Sequence, residues 1–167
     1  MKILLPVDGS PNSLRAVRHV VNQFLSNHEL EVNLLHVRTP FSQHIARFVS
    51  RADRASYHRD EADRALAPAR ELLKHHGVPY SERIELGDKA QTITRVAKHI
   101  GAAQIVMGTA RKNSFTRLVE DSVTNRVLEL TDTPVEIVAG EAVSRLERIG
   151  VPAGIAALAA LLLAAAD

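Results

Sequence analysis

Residues 3–11 of the chain read Ile-Leu-Leu-Pro-Val-Asp-Gly-Ser-Pro, and this stretch decides the class of fold. The continuous apolar run at 3–7 is typical of a parallel strand that is buried on both faces. It stops at a dense turn signal, in which Ser10 followed by Pro11 is a common start of a helix. Apolar residues at helical spacing follow, namely Leu14, Val17, Val20, Val21, Phe24 and Leu25. The stretch therefore predicts a strand, a turn and a helix.

The same alternation continues to about residue 138. Further strands are predicted at residues 31–37, 81–86, 103–107 and 134–138, and further helices at residues 55–76, 89–100 and 115–130. The strand at 81–86 alternates polar and apolar residues, which is typical of a sheet edge. Residues 41–56 have weak periodicity and predict a loop with a short helical piece, and Pro68 is expected to bend or split the second helix. The order βαβαβαβαβ predicts a parallel sheet with right-handed crossovers.

The composition narrows the class of protein further. The chain has 167 residues, of which 46% are hydrophobic but only 4% aromatic, so the core is built from aliphatic side chains. The formal net charge of +2 gives no reason to expect nucleic acid as a partner. The absence of cysteine excludes disulfides, thiolate nucleophiles and thiolate metal sites. Because Pro6 and Asp8 follow the N-terminus too closely for a signal peptide, the expected location is the cytoplasm.

The C-terminal tail is at odds with that expectation. Residues 151–166 contain no charged or polar side chain, but as a helix they would span about 24 Å, less than the roughly 30 Å core of a bilayer. We interpret them first as a helix docked on the domain or on a second subunit. A peripheral or tail-anchoring contact with the inner membrane and a frayed tail are the alternatives. The chain is thus expected to divide into an α/β domain at 1–140 and an apolar extension at 141–167.

A second informative stretch runs from Ile105 to Thr124. A short apolar strand reaches Gly108, a polar and basic loop occupies residues 109–117, and a helical pattern carries Ser122, Val123 and Thr124. A strand that ends in glycine before a loop and a helix is a common way for α/β proteins to hold phosphate. In an open parallel sheet, ligands bind at the carboxyl ends of the strands, where the strand order reverses.

Three strand ends are expected to meet at such a crevice if the first and fourth strands are neighbours. Asp8 would offer a carboxylate to a ribose or an adenine amino group, and Val37 would offer backbone groups to a purine edge. The amides that follow Gly108 would face phosphates. Other interpretations stay open, because Asp8 can cap the turn before the first helix. Likewise, Ser122 and Thr124 can bond back to the preceding helical turn.

Several segments, taken in order, resemble the universal stress protein (UspA-like) family. They are residues 3–10, Leu35-His36-Val37, residues 105–109, residues 122–124 and residues 133–138. The resemblance extends from Met1 to about Ala139 and leaves the last 28 residues uncovered. It implies an open, doubly wound five-stranded parallel sheet in the order 3-2-1-4-5 with helices on both faces, to which the tail would add an apolar C-terminal helix. It also implies a homodimer, often paired through the fifth strand, in which the C-terminal helix is a further candidate contact.

The family divides by ATP binding, and this chain departs from the ATP-binding pattern. Members that bind ATP carry a glycine, two residues, a second glycine, nine residues, a third glycine and then serine or threonine. Gly108 and Ser122 occupy the first and last of these positions, but Arg111 and Asp121 replace the other two glycines. Arg111 adds bulk, although its guanidinium could pair with phosphate. Asp121 would repel a polyphosphate by about 1–4 kcal/mol, roughly a ten- to thousandfold loss of affinity, unless Mg²⁺ bridged the two.

Two main hypotheses follow for the function. The first is a dimeric stress-response binding or regulatory module that binds ATP weakly or not at all and acts through protein partners. The second is an ATP-binding switch, with slow hydrolysis, whose cofactor site comprises Asp8, Val37, Gly108 and residues 122–124. A third hypothesis places the domain at a membrane through residues 151–166. No nucleophile–base pair or acid–base dyad points to an enzyme, and the spacing of the histidines does not predict a metal site. His36 ends a buried strand near the crevice and is interpreted as a core residue.

Overall fold

The computed structural model describes residues 1–40, 50–109 and 123–139. Its helices and strands, in chain order, are β1 (Lys2–Pro6), α1 (Pro11–Ser26), β2 (Glu31–Arg38), α2 (Arg51–His75), β3 (Tyr80–Leu86), α3 (Lys89–Ile100), β4 (Gln104–Thr109), α4 (Val123–Leu130) and β5 (Val135–Ala139). The strands form one parallel five-stranded sheet in the order β3-β2-β1-β4-β5. The predicted strand order is therefore confirmed.

Two hydrophobic cores lie on opposite faces of this sheet. Successive side chains of a strand point to opposite faces, so neighbouring residues of β1 enter different cores. Leu5 packs in one core with side chains of α1 and α2, whereas Leu4 packs in the other with side chains of α3 and α4. The helices thus cover both faces, which confirms the doubly wound class of fold. The predicted C-terminal helix lies outside the described residues.

The helix ends follow local capping chemistry. The hydroxyl of Ser10 accepts a hydrogen bond from the backbone N–H of Ser13 at 3.2 Å, and Pro11 is the first helical residue of α1, as predicted. After the C-terminus of α2, Gly77 has a φ of +66°, and its N–H donates a hydrogen bond to the Lys74 carbonyl at 3.1 Å. Gly101 likewise ends α3 in the left-handed conformation.

The course of α2 corrects the predicted start of the helix and decides against a split at Pro68. The helix begins at Arg51 rather than near residue 55, because the Ser50 hydroxyl accepts a hydrogen bond from Asp53 N–H at 3.1 Å and caps it there. It is also one continuous helix, so Pro68 does not split it. Leu66 and Leu73, on either side of the proline, are both fully buried, and this packing offsets the loss of one backbone hydrogen bond.

β3 is an edge strand, as its alternating pattern predicted, and an ion pair fastens it to α2. Arg70 donates from Nε and Nη2 to the two carboxylate oxygens of Glu82, at 2.7 and 2.6 Å. A bidentate pair of this kind adds orientation as well as energy. Glu82 raises the pKa of the Arg70 guanidinium, so the arginine stays charged throughout the accessible pH range.

Asp88 joins α3 to α4. Its carboxylate accepts the backbone N–H of Gln91 at 3.0 Å and thereby caps α3, and it pairs with both terminal nitrogens of Arg126 at 2.9 and 3.3 Å. The hydrogen bond from Gln91 and the pairing with Arg126 lower the pKa of the Asp88 carboxyl.

This pair predicts a pH-dependent contribution to stability. A carboxyl whose pKa is lowered by folding stabilises the fold above its unfolded value of about 3.9 and loses that effect as the pH falls through the folded value. The Asp88→Asn variant keeps a capping side chain but loses the ion pair. We expect its free energy of unfolding in urea to be lower than the parent's at neutral pH, and the gap to close in acid. Arg126→Gln should behave in the same way; a gap that does not narrow in acid would contradict this account.

Candidate functional site

A crevice opens at the carboxyl ends of β1, β2 and β4. β2 pairs with one side of β1 and β4 with the other, so the connections that leave this part of the sheet run in opposite directions. This is the switch point at which open α/β sheets bind ligands. The predicted ligand residues that line the crevice are Asp8, Val37, Gly108, Val123 and Thr124. Ser122 and the two departures from the ATP pattern, Arg111 and Asp121, lie outside the described residues.

The floor of the crevice is apolar. Leu35, Ile93 and Met107 are buried there, contributed by β2, α3 and β4. The cavity volume is about 110 Å³, below the roughly 300–1,000 Å³ of a typical small-molecule pocket. This is the volume enclosed by the described residues alone.

Asp8 holds the turn that follows β1. Its Oδ1 accepts the backbone N–H of Ser10 at 3.0 Å, and its own N–H lies 3.4 Å from the Ser13 hydroxyl. Burial raises the pKa of the Asp8 carboxyl, but hydrogen bonds from Ser10 and Ser13 and the charge of Lys89 outweigh this and lower it. Asp8 is thus ionised at neutral pH. It caps the turn, as one interpretation held, and it also lines the crevice, where its contact with a ligand stays a prediction.

Val37 extends β2 beyond its pairing with β1. The register of the two strands ends at Pro6 and Leu35, with one further bond from Val7 N–H to the Leu35 carbonyl at 2.8 Å. The backbone N–H and C=O groups of successive strand residues point to opposite sides of the strand. Those of Val37 therefore point in the same direction as those of Leu35, toward β1, but lie beyond the last hydrogen bond between the two strands. Val37 therefore brings backbone polar groups to the rim of the crevice.

Gly108 has a packing role that the sequence pattern did not indicate. It pairs with Val138 of β5 in the sheet and also lies against the first turn of α1. A Cβ at Gly108 would overlap the carbonyl group of Asn12 and would come within 2.9 Å of the Ser13 nitrogen. Both obstacles are backbone atoms, which cannot move aside as a flexible side chain can. Glycine is required here for close approach, whatever binds nearby.

The sequence did not lead us to predict two polar residues that line the crevice. Ser13 lies in the first turn of α1, and Lys89 is the first residue of α3. The signal for Lys89 was the turn at Gly87 and Asp88, which follows β3 as the turn at Asp8 follows β1. The rule that ligands bind at carboxyl ends would have found Lys89 had it been applied to the third strand.

Val123 and Thr124 begin the described part of α4 and reach the crevice from the side opposite α1. Thr124 is 8% exposed.

In the described ranges, no group of three or more His, Asp or Glu side chains is arranged to hold a metal ion. Nor is any helix of those ranges long and apolar enough to cross a membrane.

Comparison with known proteins places this architecture in a family. The model of the universal stress protein family matches residues 1–139. The chain is 29% identical over 143 residues to Universal stress protein MJ0531 of Methanocaldococcus jannaschii, covering 82% of this chain and 81% of that protein.

Solved structures share the fold. The chain superposes on the protein MJ0577 with a TM-score of 0.69 at 24% identity, over 85% of this chain and 97% of the other. It superposes on a universal stress protein in complex with cAMP with a TM-score of 0.63 at 23% identity, over 83% of this chain and 96% of the other.

Gly108→Ala should destabilise the protein by about 1–3 kcal/mol through overpacking. It should also shift the backbone amide signals of Asn12 and Ser13. Gly77→Ala is the matched control, because Gly77 has open space around its Cα but a φ of +66°. It should lose about 1–2 kcal/mol through backbone strain and leave those amide signals in place. Urea unfolding and amide NMR spectra measure both effects, and a Gly108→Ala protein of parental stability would refute the close-packing role.

Proposed function

This chain belongs to the universal stress protein family, and on that premise we propose that it is a stress-response binding or regulatory module that binds ATP weakly or not at all. The proposal rests on a difference between the two parts of the site. Residues suited to adenosine meet at one crevice, whereas the loop that would hold the phosphates carries Arg111 and Asp121 in place of glycines.

The adenosine half of the site supports binding of a nucleoside. The apolar floor can stack against a purine ring, and the ionised Asp8 can accept hydrogen bonds from ribose hydroxyls or an amino group. Val37 adds backbone groups at the rim. The solved relative in complex with cAMP has a ligand with an adenosine and a single phosphate. A ligand of that kind makes the least demand on the altered loop.

The phosphate half argues against tight binding of ATP. A carboxylate at position 121 would repel a triphosphate more strongly than it would a single phosphate, because the repulsion grows with the ligand's charge. Arg111 would supply one compensating cation, but an arginine side chain is bulkier than the glycine found there in ATP-binding members and would leave less space for the phosphates. We therefore propose that the module signals through its protein partners rather than through ATP hydrolysis.

The alternative function is an ATP-binding, nucleotide-responsive switch with slow hydrolysis. It is favoured by the crevice itself, which brings Asp8, Val37, Gly108, Val123 and Thr124 together, and by Ser122 at the family spacing. In that case a Mg²⁺ ion between Asp121 and the phosphates would turn repulsion into attraction.

We propose that the protein is a cytoplasmic homodimer that pairs through β5. Ile137 of β5 is 43% exposed, and the Glu136 carboxylate is held by Gln23, Gln104 and His19 at 2.6–3.0 Å. This edge therefore presents an apolar side chain, with its acidic neighbour already satisfied. The extension at 141–167 follows directly and is proposed to dock on the domain or on the second copy. Contact of residues 151–166 with a membrane is the alternative.

The nucleotide hypotheses are separated by binding measurements. We expect the purified protein to carry no nucleotide when it is denatured and analysed by mass spectrometry. In calorimetric titrations, ATP should bind no more tightly than adenosine or cAMP, because its extra phosphates face Asp121. A micromolar dissociation constant for ATP would reject the proposed function, and one that appears only with Mg²⁺ would favour the bridged switch.

Glycine variants test the cause. The double variant Arg111→Gly, Asp121→Gly should gain roughly ten- to thousandfold in ATP affinity, the converse of the estimated repulsion. Asp132→Gly is the matched control, because Asp132 is exposed and precedes β5, at the amino ends of the strands. If the double variant gains nothing, the altered loop is not what weakens ATP binding.

The dimer proposal predicts an asymmetry between the two sheet edges. Ile137→Lys should convert the dimer to a monomer in sedimentation experiments, because a charge would be buried at the pairing edge. Ile84→Lys is the matched control, since Ile84 is 40% exposed on the other edge strand, β3.

A chain that ends at Arg148 tests the role of the extension. If it is a soluble monomer, the extension, and not β5 alone, holds the dimer. If only the full chain sediments with membranes, the membrane alternative is correct.

A further inference from the structure

We propose that His36 is a positioning residue for the crevice, which binds the Val7 carbonyl through its imidazole and so sets the direction of Asp8 and frees the Val37 N–H for a ligand. The inference rests on the proposed function, because it assigns a task in the same nucleoside crevice. It also revises the interpretation of His36 as a simple core residue.

The contact of His36 is unusually specific for a buried side chain. The residue is 5% exposed, and its Nδ1 lies 2.7 Å from the carbonyl oxygen of Val7. A carbonyl oxygen can only accept, so Nδ1 carries the hydrogen and donates it. The Nε2 atom is buried and makes no hydrogen bond. The Val7 carbonyl is therefore the polar attachment of this ring within the described part of the chain.

The bond replaces one rung of the β-ladder. In a regular parallel ladder continued past Pro6 and Leu35, the Val7 carbonyl would accept the N–H of Val37. The register between β1 and β2 ends instead at Pro6 and Leu35, and the imidazole of His36 takes the carbonyl. A side chain thus closes the end of the ladder, and the Val37 N–H is left at the rim of the crevice.

The same bond holds the peptide group between Val7 and Asp8 from one side. Its carbonyl is bound by His36 from β2, and its N–H lies 3.4 Å from the Ser13 hydroxyl on α1. A planar peptide with both polar groups engaged cannot rotate without breaking one of them. Rotation of this plane would change ψ of Val7 and φ of Asp8. His36 and Ser13 together therefore fix the direction in which the Asp8 side chain leaves the backbone.

The next residue leaves little room for adjustment. Gly9 has a φ of +79°, and a Cβ there would lie 3.0 Å from the Cα of Ala65 on α2. The turn is therefore pressed against α2 immediately after the peptide that His36 holds. Because the turn has no room to move toward α2, a change in the Val7–Asp8 peptide in that direction would be taken up mainly by Asp8.

The test compares side chains that place a donor at different positions. His36→Phe keeps a ring but has no donor, and we expect its affinity for adenosine and cAMP to fall about tenfold, the effect of losing one well-placed hydrogen bond. The amide nitrogen of His36→Asn reaches about where Nδ1 lies and should restore most of the affinity, whereas the amide of His36→Gln reaches toward Nε2 and should not. If the phenylalanine variant does not fold, the Asn and Gln pair still decides the matter.

A matched control separates positioning from general stability. Asn33 lies on the same strand, is 4% exposed, accepts a hydrogen bond from Ser81 at 2.7 Å and does not line the crevice. Asn33→Ala should lower the urea midpoint of unfolding without changing the affinity for adenosine. If it weakens binding as much as His36→Phe does, His36 acts only through stability and the proposal is wrong.

A measurement without ligand distinguishes this inference from the proposed function. The pKa of the Asp8 carboxyl, followed by carbon NMR, should rise toward its ordinary value in His36→Phe and return in His36→Asn, because the Ser10 and Ser13 hydrogen bonds depend on the held peptide. If the parent binds no nucleoside, the nucleoside-binding part of the proposed function fails, but this titration still tests whether His36 holds the turn. An unchanged Asp8 titration in all three variants would overturn the inference.

Discussion

The close approach of β4 to the first turn of α1 is the constraint on which the crevice depends. Gly108 makes this approach possible, because its missing side chain leaves room for the backbone of Asn12 and Ser13. The contact brings Ser13 beside the turn after β1, where its hydroxyl lies within reach of the Asp8 backbone N–H. A glycine that looks like part of a phosphate loop is thus first a packing residue, and any role toward a ligand is built on that packing.

Around this contact, the crevice is assembled from side chains that already have structural tasks. Asp8 caps a turn while it lines the crevice, and Asp88 caps α3 while it holds Arg126 of α4, the helix that carries Thr124. His36 is a core residue whose ring also completes the end of a strand ladder. In this chain, these residues of the crevice are therefore needed for the fold, whatever the crevice binds.

The proposed function follows from that division of the site. The proposed adenosine half depends on strand ends and helix starts, which the two hydrophobic cores hold in place. The phosphate half depends on a loop in which Arg111 and Asp121 stand where ATP-binding members have glycine. Electrostatics decides between the two hypotheses, because repulsion by one carboxylate grows with each phosphate added. A module of this kind can still respond to a small nucleoside ligand, or present its surface to partners with no ligand at all.

Local patterns were enough to place the strands, most helix ends and the turn at Ser10, because these depend on neighbours in the chain. They also brought Asp8, Val37 and Gly108 to one edge of the sheet, since parallel strands share their carboxyl ends. Local sequence patterns could not predict contacts between segments that are distant in the chain. The continuity of α2 through Pro68 depends on burial against the sheet, and the place of Lys89 depends on how α3 meets the crevice. The tasks of Gly108 and His36 are likewise set by Asn12 and Val7, residues far away in the chain, and only folding brings those atoms together.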